Sequence, residues 1–135
     1  MRAVGPRIRD AMVKATSAEF AQQERGILAT MVSDPGKQQV ALGWALRSDR
    51  ATVAEAIVEL MTTDLRAQVA TIHTPTLVIA TWAGWGVGRD PIEHSFTQQY
   101  GELHGAKVVV AESAKHFVMW DDLGFLFAQL DAFLP

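Results

Sequence analysis

The sequence predicts an α/β protein in two parts, a helical first half followed by a parallel β-α-β-α unit. Three observations carry this. Apolar residues recur at spacings of three and four through the first seventy positions. Two short, continuous and largely β-branched runs, Thr76–Thr81 and Ala106–Ala111, then interrupt that period and read as strands buried on both faces. Helical patterns follow each run, so the strands are joined by a crossover, which is right-handed and parallel. At 135 residues the chain is one domain, with regions 1–70 and 71–135 meeting near Thr71–Pro75.

The elements follow in order. Gly5 to Thr16 places Ile8, Ala11, Met12 and Ala15 on one helical stripe. Thr16 or Ser17 caps a second helix carrying Phe20, Ile27, Leu28 and Met31, which stops near Ser33-Asp34. Asp34-Pro35 is a cap followed by proline at the first helical position. The third helix holds Val40, Leu42, Trp44 and Leu46 and ends near Ser48. Ser48 or Asp49 opens a fourth, lined by Val53, Ile57, Leu60 and Met61, and Asp64 opens a short segment to Val69. Met12, Met31 and Met61 read as core filler. After the first strand comes a glycine-rich loop, Trp82 to Gly88. Asp90-Pro91 repeats the cap-plus-proline signal for a helix to about Leu103, and Gly105 breaks it. The last helix begins near Asp121, with Leu126, Leu130, Phe133 and Leu134 on one face.

Composition excludes several function classes. The 12 basic and 15 acidic residues give a net charge of −3, the wrong sign for a phosphate backbone, so nucleic acid is not an expected partner. There is no cysteine, hence no disulfide, thiolate chemistry or cysteine-type zinc site, in keeping with a reducing cytoplasm. The segment Met1–Pro6 has no leader's apolar core and no run reaches membrane-spanning length, so neither secretion nor a membrane partner is expected. His73, His94 and His104 make no metal-ligand spacing, and no metal or cofactor is expected. Gly84-Trp85-Gly86-Val87-Gly88 sits where a phosphate-binding turn would, but its spacing is not G-x-G-x-x-G and no P-loop lysine follows.

Two parallel strands do not make a sheet that stands alone. Each outer edge leaves N–H and C=O groups unpaired, at roughly 1–3 kcal/mol for each one buried without a partner. A second copy of the chain is the simplest source of further strands, and a homo-oligomer (a homodimer or larger) is the expectation.

Chemistry points to His116. It lies just past the second strand, and open α/β sheets place their sites at the C-terminal ends of strands. An imidazole there suits a general base that accepts a proton from a hydroxyl. The run Thr74-Pro75-Thr76-Leu77-Val78-Ile79-Ala80, then Ala106-Lys107-Val108-Val109-Val110, then Ser113-Ala114-Lys115-His116-Phe117-Val118-Met119-Trp120-Asp121-Asp122 resembles the C-terminal third of an α/β-hydrolase. The likeness is strong from Asp64 to Pro135. The helical Gly5–Val69 stretch is similar, more loosely, to the cap that family members insert before those strands. The resemblance implies a partial α/β-hydrolase fold, completed by self-association, in which His116 is the catalytic histidine.

The family's G-x-S-x-G nucleophile elbow and oxyanion-hole glycines do not occur in this sequence. No carboxylate stands at the family's acid position, which here is Trp82-Ala83-Gly84-Trp85-Gly86. Ser113 is the nearest candidate nucleophile in sequence, while Ser95, Ser33, Ser48 and Ser17 are distant in sequence, though a homo-oligomer could bring one close to His116. Asp121 and Asp122 are candidates to orient the imidazole, though both also suit a helix cap, and Asp90 is the nearest acid after the first strand. Trp82, Trp85, Phe117 and Trp120 would line an acyl or leaving-group pocket. The expected function is a cytoplasmic serine-type esterase acting on a small-molecule ester without a cofactor. Two alternatives stay open: a truncated hydrolase without turnover that folds as an oligomer, and a module that binds partners by strand addition at a sheet edge.

Overall fold

The computed structural model describes residues 4–135; residues 1–3, part of the segment read as lacking a leader, lie outside it. Five helices come first: α1 Val4–Lys14, α2 Ser17–Met31, α3 Pro35–Arg47, α4 Arg50–Thr62 and the one-turn α5 Arg66–Val69. Strand β1, Thr76–Thr81, is followed by α6, Arg89–Gln99, and β2, Ala106–Ala111. The one-turn α7, Val118–Asp121, and α8, Leu123–Phe133, complete the chain. Mixed helix with a small two-stranded parallel sheet is therefore the architecture.

Local chemistry sets the helix starts. Thr16 and Glu19 form a reciprocal capping box at α2, each side chain taking the other's backbone N–H. Asp34 accepts from the Lys37 N–H with Pro35 at the first position of α3, and Asp49 accepts from Thr52 at α4. The helices pack pairwise, α1 on α4 and α2 on α3. Arg50 joins the pairs: its guanidinium donates to the Ala15 carbonyl at 2.7 Å and to Ser17 Oγ at 3.1 Å, and lies 4.6 Å from the centre of the Phe20 ring.

The strands run parallel in register from Thr76 beside Ala106 to Thr81 beside Ala111, and α6 packs against both. Burial is concentrated at their C-terminal ends, at Ala80, Thr81, Val110 and Ala111. The first four residues of each strand are half-buried or exposed, which corrects the expectation of strands buried throughout; the described residues put no third strand beside them.

Four further expectations are corrected. Helix α6 starts at Arg89 with Gly88 at its cap, so Asp90 lies inside the first turn and caps nothing. Arg89 holds that turn by pairing with Glu93 and with Glu112, the residue just after β2. The helix stops at Gln99, because Tyr100 and Gly101 turn the chain before Gly105 is reached. The terminal helix is two helices, and Asp122, not Asp121, caps the longer by accepting from the Phe125 N–H at 3.0 Å. On α3 and α4 the expected faces are only partly buried: Leu42 is covered, while Val40, Trp44, Leu46, Leu60 and Met61 are exposed. Val40, Leu42, Trp44 and Leu46 are spaced by two, which on a helix spreads them around the axis.

Candidate functional site

The last turn of α2 is the platform. Like any helix end it presents carbonyls without intrahelical partners. The loop that leaves β2 supplies partners for two of them. Lys115 Nζ donates to the Ala29 carbonyl at 2.7 Å, a cation at the negative end of the helix dipole. The Phe117 N–H donates to the Met31 carbonyl at 3.2 Å. His116, between these two anchors, is fixed against α2.

The loop leaving β1 reaches the same helix end. Trp82 to Trp85 form a turn closed by the Trp85 N–H on the Trp82 carbonyl at 3.2 Å. Gly84 is the third residue of that turn, with φ +97°, and a Cβ built there would lie 2.0 Å from the Thr30 carbonyl oxygen. Only glycine lets the loop come this close.

Between the three segments lies a cavity of about 260 Å³, lined by Ile27, Thr30 and Met31 of α2, Gly84 and Trp85 of the β1 loop, and His116. Its walls are mostly apolar side chains, with the imidazole as the titratable group among them. The arrangement is an open, apolar-walled groove beside an exposed imidazole, which suits a short apolar group.

The structure separates the other candidates. Ser113 Oγ donates to Asp122 Oδ2 at 3.1 Å, so these two pair with each other. Asp121 gathers three donors: the Ser33 N–H at 3.0 Å, Ser33 Oγ at 2.9 Å and the Lys115 N–H at 2.9 Å. Partial burial pushes the Asp121 carboxyl up, but those donors together outweigh it and hold it below the usual carboxylate range. It grips the backbone next to His116 and does not touch the imidazole. The Asp90 side chain is 95% exposed beside Arg89 and takes no part in lining the cavity.

Of the four aromatic candidates, Trp85 lines the cavity. Phe117 stands edge-on to His116, with ring centres 5.2 Å apart, and stacks on Trp120 at 5.0 Å. Trp120 in turn meets Trp44 at 5.5 Å and packs on the Leu28–Ala41–Leu42 core, so it supports the loop from behind. Trp82 is half-buried with its indole N–H enclosed and without an acceptor among the described residues. Sequence reasoning missed Ile27, Thr30 and Met31 as cavity wall, and it named Ser33 only as a distant serine, without its pairing to Asp121. The stripe on α2 marked Ile27 and Met31 as core, and nothing near Ser33 in sequence signals a partner 88 positions away.

Among the described residues, no group of three or more His, Cys, Asp or Glu side chains is disposed to hold a metal ion. No described helix is long and apolar enough to cross a membrane. No protein-family model matches the chain, and comparison with curated proteins and with solved structures gives no match.

Proposed function

We propose that the chain is a serine-type carboxylic-ester hydrolase of the α/β-hydrolase kind, with His116 as its general base. The observation that supports this is the placement of His116. It stands on the loop leaving a parallel strand and opens onto an apolar cavity roofed by a helix of the cap-like region. In the mechanism, the imidazole accepts the proton of a serine hydroxyl as that oxygen attacks the ester carbonyl. The tetrahedral adduct collapses, the C–O bond to the alcohol breaks, and the imidazolium returns the proton to the departing oxygen. Water, deprotonated by the same imidazole, then cleaves the acyl-serine ester. The acyl group occupies the slot beside Trp85.

Within one chain Ser113 is engaged by Asp122. The nucleophile in this proposal is therefore a serine brought to His116 by a second copy of the chain, through a homo-oligomer that also covers the open sheet edge. The same Ser113–Asp122 bond favours a second reading, a hydrolase-like chain that folds by self-association and has no turnover.

One assay series decides between them. Release of nitrophenol from short-chain nitrophenyl esters is measured for the unaltered chain, for His116→Ala, and for Ser113→Ala, Ser95→Ala, Ser33→Ala, Ser48→Ala and Ser17→Ala. The hydrolase reading expects His116→Ala and one serine variant to lose about 10²-fold or more while remaining folded. Equal rates in every variant would refute it, and no activity in the unaltered chain supports the reading without turnover.

A further inference from the structure

Three side-chain hydrogen bonds cross between the α2–α3 corner and the His116 loop at separations of 86 to 88 positions in the chain, and a fourth ties Lys115 to Asp121 within the loop's own segment. Asp121 takes Ser33 twice and the Lys115 N–H once, and Lys115 Nζ reaches the Ala29 carbonyl. The backbone bond from Phe117 to Met31 runs alongside. These bonds lie on either side of His116 and at the end of the helix that provides half of the cavity wall. We infer that Asp121 is a positioning residue. Acting through Ser33 and the Lys115 backbone, it clamps the His116 loop to the end of α2 and so sets the shape of the acyl slot.

The geometry separates this role from that of a triad acid. A triad acid accepts from the imidazole itself. All three donors to Asp121 are instead Ser33 and Lys115 groups, so removing the carboxylate loosens the wall and the loop together. Both its oxygens are used: Oδ1 by the Ser33 N–H, Oδ2 by the Ser33 hydroxyl and the Lys115 N–H. An asparagine keeps one acceptor and turns an N–H₂ toward a donor, so Asp121→Asn is expected to behave as a partial loss and not as a neutral exchange. The occupant the slot would take is a short apolar chain. The groove of about 260 Å³ is open to solvent on one side and has room for a short alkyl chain.

That the occupant is an acyl group rests on the hydrolase reading; that Asp121 shapes the slot does not. The test therefore uses a ligand that is not turned over. Binding of hexan-1-ol to the full chain is followed by NMR at the Trp85 indole and the His116 imidazole, with thermal unfolding measured in parallel. Asp121→Ala is expected to weaken hexanol about tenfold, the equivalent of one charge-assisted hydrogen bond, and Ser33→Ala to weaken it about threefold. The double variant should be no weaker than Asp121→Ala, because both substitutions break the same contact. If Asp121→Ala does not fold, Ser33→Ala and Asp121→Asn carry the measurement. A fall in Tm with unchanged hexanol affinity makes the clamp purely structural and overturns the inference. Additive single effects, or no hexanol binding to the unaltered chain, do the same. Loss of ester hydrolysis in His116→Ala is read separately, so the clamp and the hydrolase reading can fail independently.

Discussion

Gly84 lets the β1 loop approach the end of α2 more closely than a residue with a side chain could. Its φ of +97° lies in the region that side-chain-bearing residues avoid, and a Cβ would press on the Thr30 carbonyl, a backbone atom that cannot rotate aside. Gly84→Ala therefore strains the turn and pushes α2 off the β1 loop. The expected cost is about 2–4 kcal/mol, from the combination of a positive φ and a backbone clash. Denaturant unfolding measures it directly, and the Trp85 indole resonance should shift, since Trp85 follows Gly84 into the cavity wall. The nearby Gly86 also has a positive φ but nothing within 4 Å of a built Cβ. Its substitution should cost only the conformational part, so the difference between the two variants isolates the clash. An equal loss at both positions would show that the close approach of loop and helix contributes nothing to stability.

At the scale of elements, the features legible in the sequence are those whose partners lie within one turn. Thr16, Asp34 and Asp49 announce α2, α3 and α4 because each cap bonds to a backbone N–H three residues on. Thr16→Ala removes the acceptor for the Glu19 N–H while the bond from the backbone N–H of residue 16 to Glu19 survives, and should cost about 1 kcal/mol, readable as a lower denaturation midpoint at unchanged m-value. Glu19→Gln, which keeps an acceptor for the Thr16 N–H, should cost less. The two strands were legible for a similar reason, their uniform β-branched character, and His116 was placed by following β2 directly. What was not legible depends on distant residues. Helix α6 starts at Arg89, whose guanidinium pairs with Glu112 just after β2, a partner 23 positions away that the local Asp90-Pro91 signal does not reveal. Asp121 looks like the cap of the last helix because it is acidic and precedes an apolar stretch. Its carboxylate is drawn off instead by Ser33, and Asp122 takes the cap. The candidate site follows the same rule: its histidine is local to a strand end, while the residues that line the cavity and hold the loop come from α2 and the Ser33 turn, which no short-range pattern connects to the tail.

For the whole molecule the surface itself is the evidence. The chain exposes 9121 Å², whereas a compact monomer of this mass is expected to expose about 7,000 Å². The excess, about 2,000 Å², is of the order that a large, obligate interface hides. Much of it is apolar: Leu60 is 79% exposed, and Leu123 and Phe127 of α8 and Leu134 just after it are also open. The two sheet edges differ in kind. Strand β2 carries Lys107, exposed, the sort of charge that blunts an edge against pairing. Strand β1, Thr76–Thr81, carries no charge at all and leaves its first four residues only half-covered. A two-fold axis beside β1 would set it antiparallel to the β1 of a second copy and give a continuous four-stranded sheet with a Lys107-bearing strand at each outer edge. Light scattering is accordingly expected to give a mass of two or more chains at micromolar concentration. Hydrogen exchange should show β1 amides whose protection rises with protein concentration, while those of α2, buried within the chain around Phe20 and Leu28, stay constant. A monomer whose β1 exchange ignores concentration would remove the dimer, and with it the source of a serine for His116.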